Sequence, residues 1–376
     1  MTHLPPPSRR PPSRALALAL ALAGIPLAVT QPVAAAAGAG PASGSGPAAA
    51  ETRPGGGTTD RALASAFQPL PKVLGTPEQT TEARVELGRM LFHDTRLSRS
   101  QQVSCNSCHT LDRWGVDNEP TSLGHKGQRG GRNSPTALNA AGHFVQFWDG
   151  RAQDVEAQAK GPVLNPVEMA MPDAAAVEAT LRSIPGYQPL FAKAFPNAAE
   201  PVTFDNAANA IGAFERTLVT PSRFDAYLEG DDGALTAEEK RGLTLFVQTG
   251  CPTCHAGPFL GGHIYQKAGL VKPWPNQKDQ GRYEVTKNDA DRMTFKVPGL
   301  RNVAKTGPYF HDGSVANLEE AVKLMARHQL GRELSDADAR TIVVFLGSLT
   351  GDVPAGMRAV PALPPSGPDT PKPDPS

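Results

Sequence analysis

The sequence predicts a mostly α-helical protein in two modules of similar size, with long loops and little sheet. Three observations carry that expectation. Apolar residues recur at helical spacing in several segments between residues 81 and 349. No alternating run reaches useful strand length. One five-residue motif occurs twice, 146 positions apart. Gly and Pro, 37 each among 376 residues, make up about 20% of the chain against roughly 12% in average proteins, so many turns must interrupt the helices.

The first segment is not part of the fold. Arg9, Arg10 and Arg14 precede an uncharged stretch from Ala15 to Val29, and Val33 to Ala37 supplies small residues for cleavage, so residues 1–37 read as a secretory signal peptide. A membrane-spanning helix is the competitor. Its apolar run would be about 15 residues with Gly24 and Pro26 inside, short of the roughly 20 a bilayer requires. No Cys lies near the cleavage region, which argues against a lipid anchor. Residues 38–66 begin with Gly, Ala, Ser, Pro and Thr and are expected as a flexible linker.

Helices are expected over Thr81 to His93, Asp173 to Ile184, Asp205 to Leu218 and Asn317 to His328. Thr236 with Glu239 three residues on forms a capping box ahead of Leu243, Leu245 and Phe246, and Ser335 with Asp338 starts a further helix that stops at Gly347 or Gly351. Gly115 to Pro172 reads as a long functional loop. The segment after Val353 is Pro-rich and expected to be extended. The resulting division is a first module over 67–218, a second over 219–351 and a tail over 352–376.

Lys plus Arg equals Asp plus Glu at 37 each, so net charge gives no reason to expect nucleic acid or an anionic membrane as partner. The chemistry lies in the four cysteines. They fall in Cys105-Asn106-Ser107-Cys108-His109 and Cys251-Pro252-Thr253-Cys254-His255, two copies of the C-x-x-C-H pattern of covalent c-type haem attachment. Two thiols on one helical turn can link to the two vinyl groups of one porphyrin, and the adjacent His then faces the iron. By composition alone, chance matches are expected on the order of 0.001 times. A four-thiolate zinc site is disfavoured by the 142 residues between Cys108 and Cys251. A thioredoxin-type pair or two disulfides would leave His109 and His255 unexplained. The fold class is therefore two cytochrome c-like haem domains.

Thr121-Ser122-Leu123-Gly124-His125, Arg132-Asn133-Ser134-Pro135-Thr136, Gln146-Phe147-Trp148-Asp149-Gly150-Arg151, Val167-Glu168-Met169 and Pro308-Tyr309-Phe310-His311-Asp312-Gly313 add a pattern specific in order and spacing. With it the chain, from about Phe67 to the tail, resembles the bacterial dihaem cytochrome c peroxidases. The resemblance implies a periplasmic enzyme that reduces hydrogen peroxide to water. Its electrons would come from a small soluble redox protein, a monohaem cytochrome c or a copper protein, and the enzyme would be a homodimer.

Met325 follows His311 by 14 residues in an expected helix, and spacing leaves open whether it is a second iron ligand opposite His255 or a core Met. The resemblance makes it the ligand; related dihaem enzymes that oxidise protein side chains carry Tyr here. His125 follows His109 by 16 residues between Gly124 and Gly127. A loop His is more often solvated than ligating, but the resemblance implies that His125 caps the first haem in the oxidised resting state and leaves when the second haem is reduced. Glu168 is implied as the acid-base group, Gln158 as a weaker hydrogen-bonding candidate, and Trp148 as a residue between the haems. One calcium ion is implied, held by the Asn133 side chain and the carbonyls of Thr306 and Pro308, and its all-oxygen coordination suits that ion. His93 and His311 are expected as structural or propionate-directed groups. A plain dihaem electron carrier, a dihaem oxidase of a protein or aromatic substrate, and a non-haem metal or structural module stay open as rivals.

Overall fold

The computed structural model describes residues 62–376, so the expected signal peptide and residues 38–61 of the expected linker lie outside the described residues. The remainder of that linker departs from expectation. Residues 62–66 are helical, and Ala64 and Phe67 are buried in the hydrophobic core of the second module. Phe67 is anchored there by edge contact with the Phe224 ring at 5.6 Å.

The first module is built from α1 (Glu82–His93), α2 (Cys105–Cys108), α3 (Val155–Leu164), α4 (Ala174–Arg182), α5 (Tyr187–Ala194) and α6 (Phe204–Glu215). Leu87, Leu91 and Phe92 of α1 meet Ala207, Ile211 and Phe214 of α6 in its core. Full burial of each Leu or Phe contributes roughly 1.5–3 kcal/mol. The two helices cross at contact distance because position 88 is Gly: a Cβ there would lie 1.8 Å from the Ala210 carbonyl oxygen. The helix α3 interrupts the stretch expected as continuous loop. Asp154 caps it by accepting the Ala157 N–H at 2.7 Å, a signal masked in the sequence by Gly161-Pro162 near its end.

The second module repeats this design. It comprises α7 (Arg223–Glu229), α8 (Ala237–Thr249), the antiparallel pair β1 (Tyr265–Lys267) and β2 (Thr294–Lys296), the short α9 (Tyr283–Thr286), α10 (Leu318–Leu330) and α11 (Asp336–Gly347). The expected capping box is present: Thr236 N–H donates to Glu239 Oε2 at 2.8 Å and Glu239 N–H to Thr236 Oγ1 at 3.2 Å. Here Gly242 plays the part of Gly88, since a Cβ would sit 2.3 Å from the Thr341 carbonyl oxygen of α11. Phe246, Ile342 and Phe345 fill the resulting core. Two strands of three residues each are the sheet among the described residues, as the absence of alternating runs predicts.

Polar contacts join the modules. Arg132, held within the first module by Asp149 at 2.5 Å, pairs across with Asp279 at 2.6 Å, and the Thr220 hydroxyl accepts from Asn139 Nδ2 and Asn302 Nδ2, each at 2.9 Å. The tail, after the short α12 (Ala355–Arg358), is extended as expected and lies along the first module. Arg96 Nη1 donates to the Pro364 carbonyl at 2.9 Å, Gln101 Nε2 to that of Pro371 at 2.6 Å, and Arg99 pairs with Asp374 at 2.6 Å.

Candidate functional site

The two C-x-x-C-H motifs line two cavities. In the second module α8 ends at Gly250, whose left-handed conformation turns the chain directly into Cys251. The cavity beyond it, about 210 Å³, is lined by Cys251, Cys254, His255, Trp274, Phe295 and Met325. His255 Nδ1 lies 3.0 Å from the Leu260 carbonyl oxygen, a contact it makes as donor. The tautomer so fixed leaves Nε2 as a free lone pair, the state that binds iron. Burial holds this imidazole down at a pKa of about 4, which keeps it neutral. Met325 sits on α10 in the wall of the same cavity, so the structure brings together His255 and Met325 as the spacing allowed. His311 is buried there too, stacked on Phe295 at 4.3 Å, and its Nε2 has no hydrogen-bond partner.

The first cavity is larger, about 590 Å³, and more polar. Cys105, Cys108 and His109 line it together with Trp148, Arg151, Gln158, Glu168 and Glu215. Ser104 and Ser107 form a reciprocal capping box that fixes the turn carrying the two thiols. His109 is kept neutral by burial. Burial raises the Glu168 carboxyl above the usual carboxylate range, against an opposing pull from Arg151 and from Asn165, whose Nδ2 donates to Glu168 Oε1 at 2.8 Å. The Arg151 guanidinium lies over the Phe147 ring at 3.4 Å and is held by Asp149.

His125 is buried but does not line this cavity. Its backbone N–H donates to the Glu168 carbonyl at 2.8 Å, which ties the loop to the acid-base candidate, while its Nε2 lies 3.3 Å from the backbone oxygen of Ser376. Its Nδ1 has no partner. Lys126 and Gly127 both adopt positive φ, so the loop turns sharply just beyond the imidazole. Asn133, Thr306 and Pro308 each line the first cavity, and Asn133 Nδ2 donates to the Glu119 carbonyl at 3.0 Å. With the amide nitrogen so used, the Asn133 side-chain oxygen is the atom with the chemistry to ligate a cation. Trp148 lines both cavities, and its indole N–H donates to the Asn133 carbonyl at 2.9 Å.

All four cysteines are free thiols, in two pairs, each beside a neutral imidazole and a cavity. This donor set fits two c-type haems. A model of the di-haem cytochrome c peroxidase family matches residues 82–233. The chain is 51% identical over 312 residues to the cytochrome c551 peroxidase of Pseudomonas aeruginosa, covering 79% of this chain and 89% of that protein. The chain belongs to the di-haem cytochrome c peroxidase family. It is 50% identical over 308 residues to the cytochrome c551 peroxidase of Nitrosomonas europaea, covering 81% and 90% of the two chains. A solved structure of a MauG-like protein associated with microbial copper homeostasis superposes with a TM-score of 0.68 at 28% identity, over 78% of this chain and 97% of that one. The protein is therefore an oxidoreductase of the cytochrome c peroxidase class carrying two haems, and the mostly helical fold is as expected.

Sequence reasoning missed Glu215 and Lys296. Glu215, at the end of α6, is buried beside Cys105, and burial with the nearby Glu156 pushes its pKa up to about 8. A Glu on an apolar helix face was the available signal, but no motif marks it. Lys296 lines both cavities and had no sequence signal at all.

Proposed function

We propose that this peroxidase reduces hydrogen peroxide to water at the His109 site: one peroxide, two protons and two electrons give two waters. Electrons would arrive at the His255 site from a small soluble redox protein, a monohaem cytochrome c or a copper protein. The periplasmic setting rests on the leader-like residues 1–37. Glu168 carries the reading. It is a largely buried carboxyl with raised proton affinity in the wall of the His109 cavity, so near neutral pH it can take a proton from one peroxide oxygen and hand it to the leaving one.

Bound haem would supply a redox-active iron that relays the donor's electrons and, in the first site, reacts with peroxide. Cys105, Cys108 and His109 would hold it in the first site, and Cys251, Cys254, His255 and Met325 in the second. A thioether ligand favours ferrous iron, which suits Met325 to electron storage. Asn165 orients the Glu168 carboxyl through its 2.8 Å hydrogen bond, and Gln158 offers the bound peroxide an amide from α3. Trp148, in the wall of both cavities, is the candidate for passing electrons between them.

His125 would cap the first site in the oxidised resting enzyme. Its ring nitrogen lies 3.3 Å from the Ser376 backbone oxygen and outside the cavity lining, which supports the His125 loop as the proposed two-state element. Calcium held by Asn133, Thr306 and Pro308 would bias it by tying the first module to the second. Peroxide turnover with a reduced small cytochrome, measured before and after one-electron reduction, tests the reading. Turnover should rise on reduction in the wild type, chelating calcium should slow that rise, and His125→Gly should turn over while fully oxidised. Absence of turnover in every redox state, with both haems present, would overturn the reading and leave an electron carrier or a dihaem oxidase of another substrate.

A further inference from the structure

We infer that Lys296, supported by His143, is a cationic anchor for the propionate carboxylates of the haems, set in the wall that the two sites share. Lys296, Trp148, Pro298, Leu300, Tyr309 and Phe310 are among the residues that line both cavities, and Lys296 is the charged one in that shared wall. It is 5% exposed at the end of β2, and no carboxylate among the described residues forms an ion pair with it. Desolvation, unopposed by any acidic neighbour, draws its pKa down to about 8. An ammonium buried in that way is costly unless an anion meets it.

The surroundings hold Lys296 in place without neutralising it. Its backbone N–H donates to the Trp148 carbonyl at 2.8 Å. Its Nζ donates to His143 Nδ1 at 3.2 Å, and burial together with the Lys296 charge keeps that imidazole neutral. His143 is itself fixed: a Cβ on Gly262 would lie 2.2 Å from its ring and one on Gly299 2.9 Å from it, while the Phe259 ring meets it edge-on at 5.6 Å. One of three ammonium protons is thus spent on a neutral partner, and two remain for an anion. A c-type haem carries two propionate carboxylates, so the cofactor implied by the paired thiols brings the missing charge.

A positive charge against a haem carboxylate favours the reduced haem, because reduction removes a positive charge from the iron. The inference rests on the haem assignment and is independent of the peroxide chemistry, since its test contains no peroxide. Spectroelectrochemical titration of the dihaem holoprotein, with haem content measured as pyridine haemochrome, compares wild type with Lys296→Met and Lys296→Arg. Lys296→Met should keep both haems and lower the reduction equilibrium constant of at least one by roughly tenfold, and Lys296→Arg should restore most of the loss. If Lys296→Met does not accumulate with haem, Lys296→Gln retains a donor without the charge and reads the same quantity. Equilibrium constants within about twofold of wild type at both haems in the neutral variant would overturn the anchor. So would an equal fall in Lys296→Arg and Lys296→Met, which would point to packing rather than charge.

Discussion

The two haem cavities begin from the same five-residue pattern and the same helix crossing, with Gly88 in one module answering Gly242 in the other, yet their walls differ. The second, about 210 Å³, is lined mostly by aromatic and aliphatic groups, with Met325 among them. The first, about 590 Å³, carries Arg151, Gln158, Glu168 and Glu215. On the proposed reading, a small, mostly apolar wall with a thioether suits electron storage, whereas a larger, more polar wall suits a small substrate and proton transfer. The attachment motif is therefore common to both sites, and the proposed division of labour rests on wall residues outside that motif.

Met325→His should break the contrast most. Replacing thioether by imidazole should leave both haems attached and lower the reduction equilibrium constant of the second by roughly 1,000-fold, with the first little changed. A redox titration that finds both haems unmoved would remove Met325 from the ligand set. Glu168→Gln addresses the opposite cavity. It should keep haem content and cut peroxide turnover by about 100-fold, the scale of a lost acid-base group. Wild-type turnover would mean that water or another carboxyl moves the proton.

Glu215 gives the smallest effect and bears on stability. Burial raises its pKa to about 8, from an ordinary glutamate value near 4.5. The folded state binds the extra proton between those values, so stability falls as pH rises from near 4.5 towards 8 and levels off above. Glu215→Gln should remove that slope, a difference on the order of 3 kcal/mol between pH 5 and pH 8 by denaturant titration. Parallel pH profiles for the two proteins would show that Glu215 titrates normally.

Local features of the fold were legible and distant ones were not. Thr236 and Glu239 announce their helix because both capping partners lie within four residues, and each haem motif is complete within five. The helix α3 was hidden because Gly161-Pro162 reads as a breaker, although Asp154 supplies a good start. Phe67 joins the second core across some 150 residues, and Lys296 meets His143 from a different module. Such pairings leave no periodicity or spacing to detect. Glu168, His125 and Met325 could be named only through family resemblance, since a Glu, a loop His and a helical Met are each commonplace. The structure then sets Glu168 and Met325 in separate cavities and hydrogen-bonds His125 to the Glu168 segment.

The strap of residues 359–376 has a consequence for the order of assembly. Arg99 and Asp374 pair across 275 positions, and His125 meets Ser376 across 251. On a chain made from its N-terminus, the helices of the first module and its Cys-x-x-Cys-His turn exist long before the residues that cover Arg96, Arg99 and Gln101. Closing so long a loop costs more chain entropy than forming any helix pair within a module, though the cost grows only logarithmically with length. The entire second module must emerge before the strap can dock. The site that is begun first is thus the one whose outer surface is completed last.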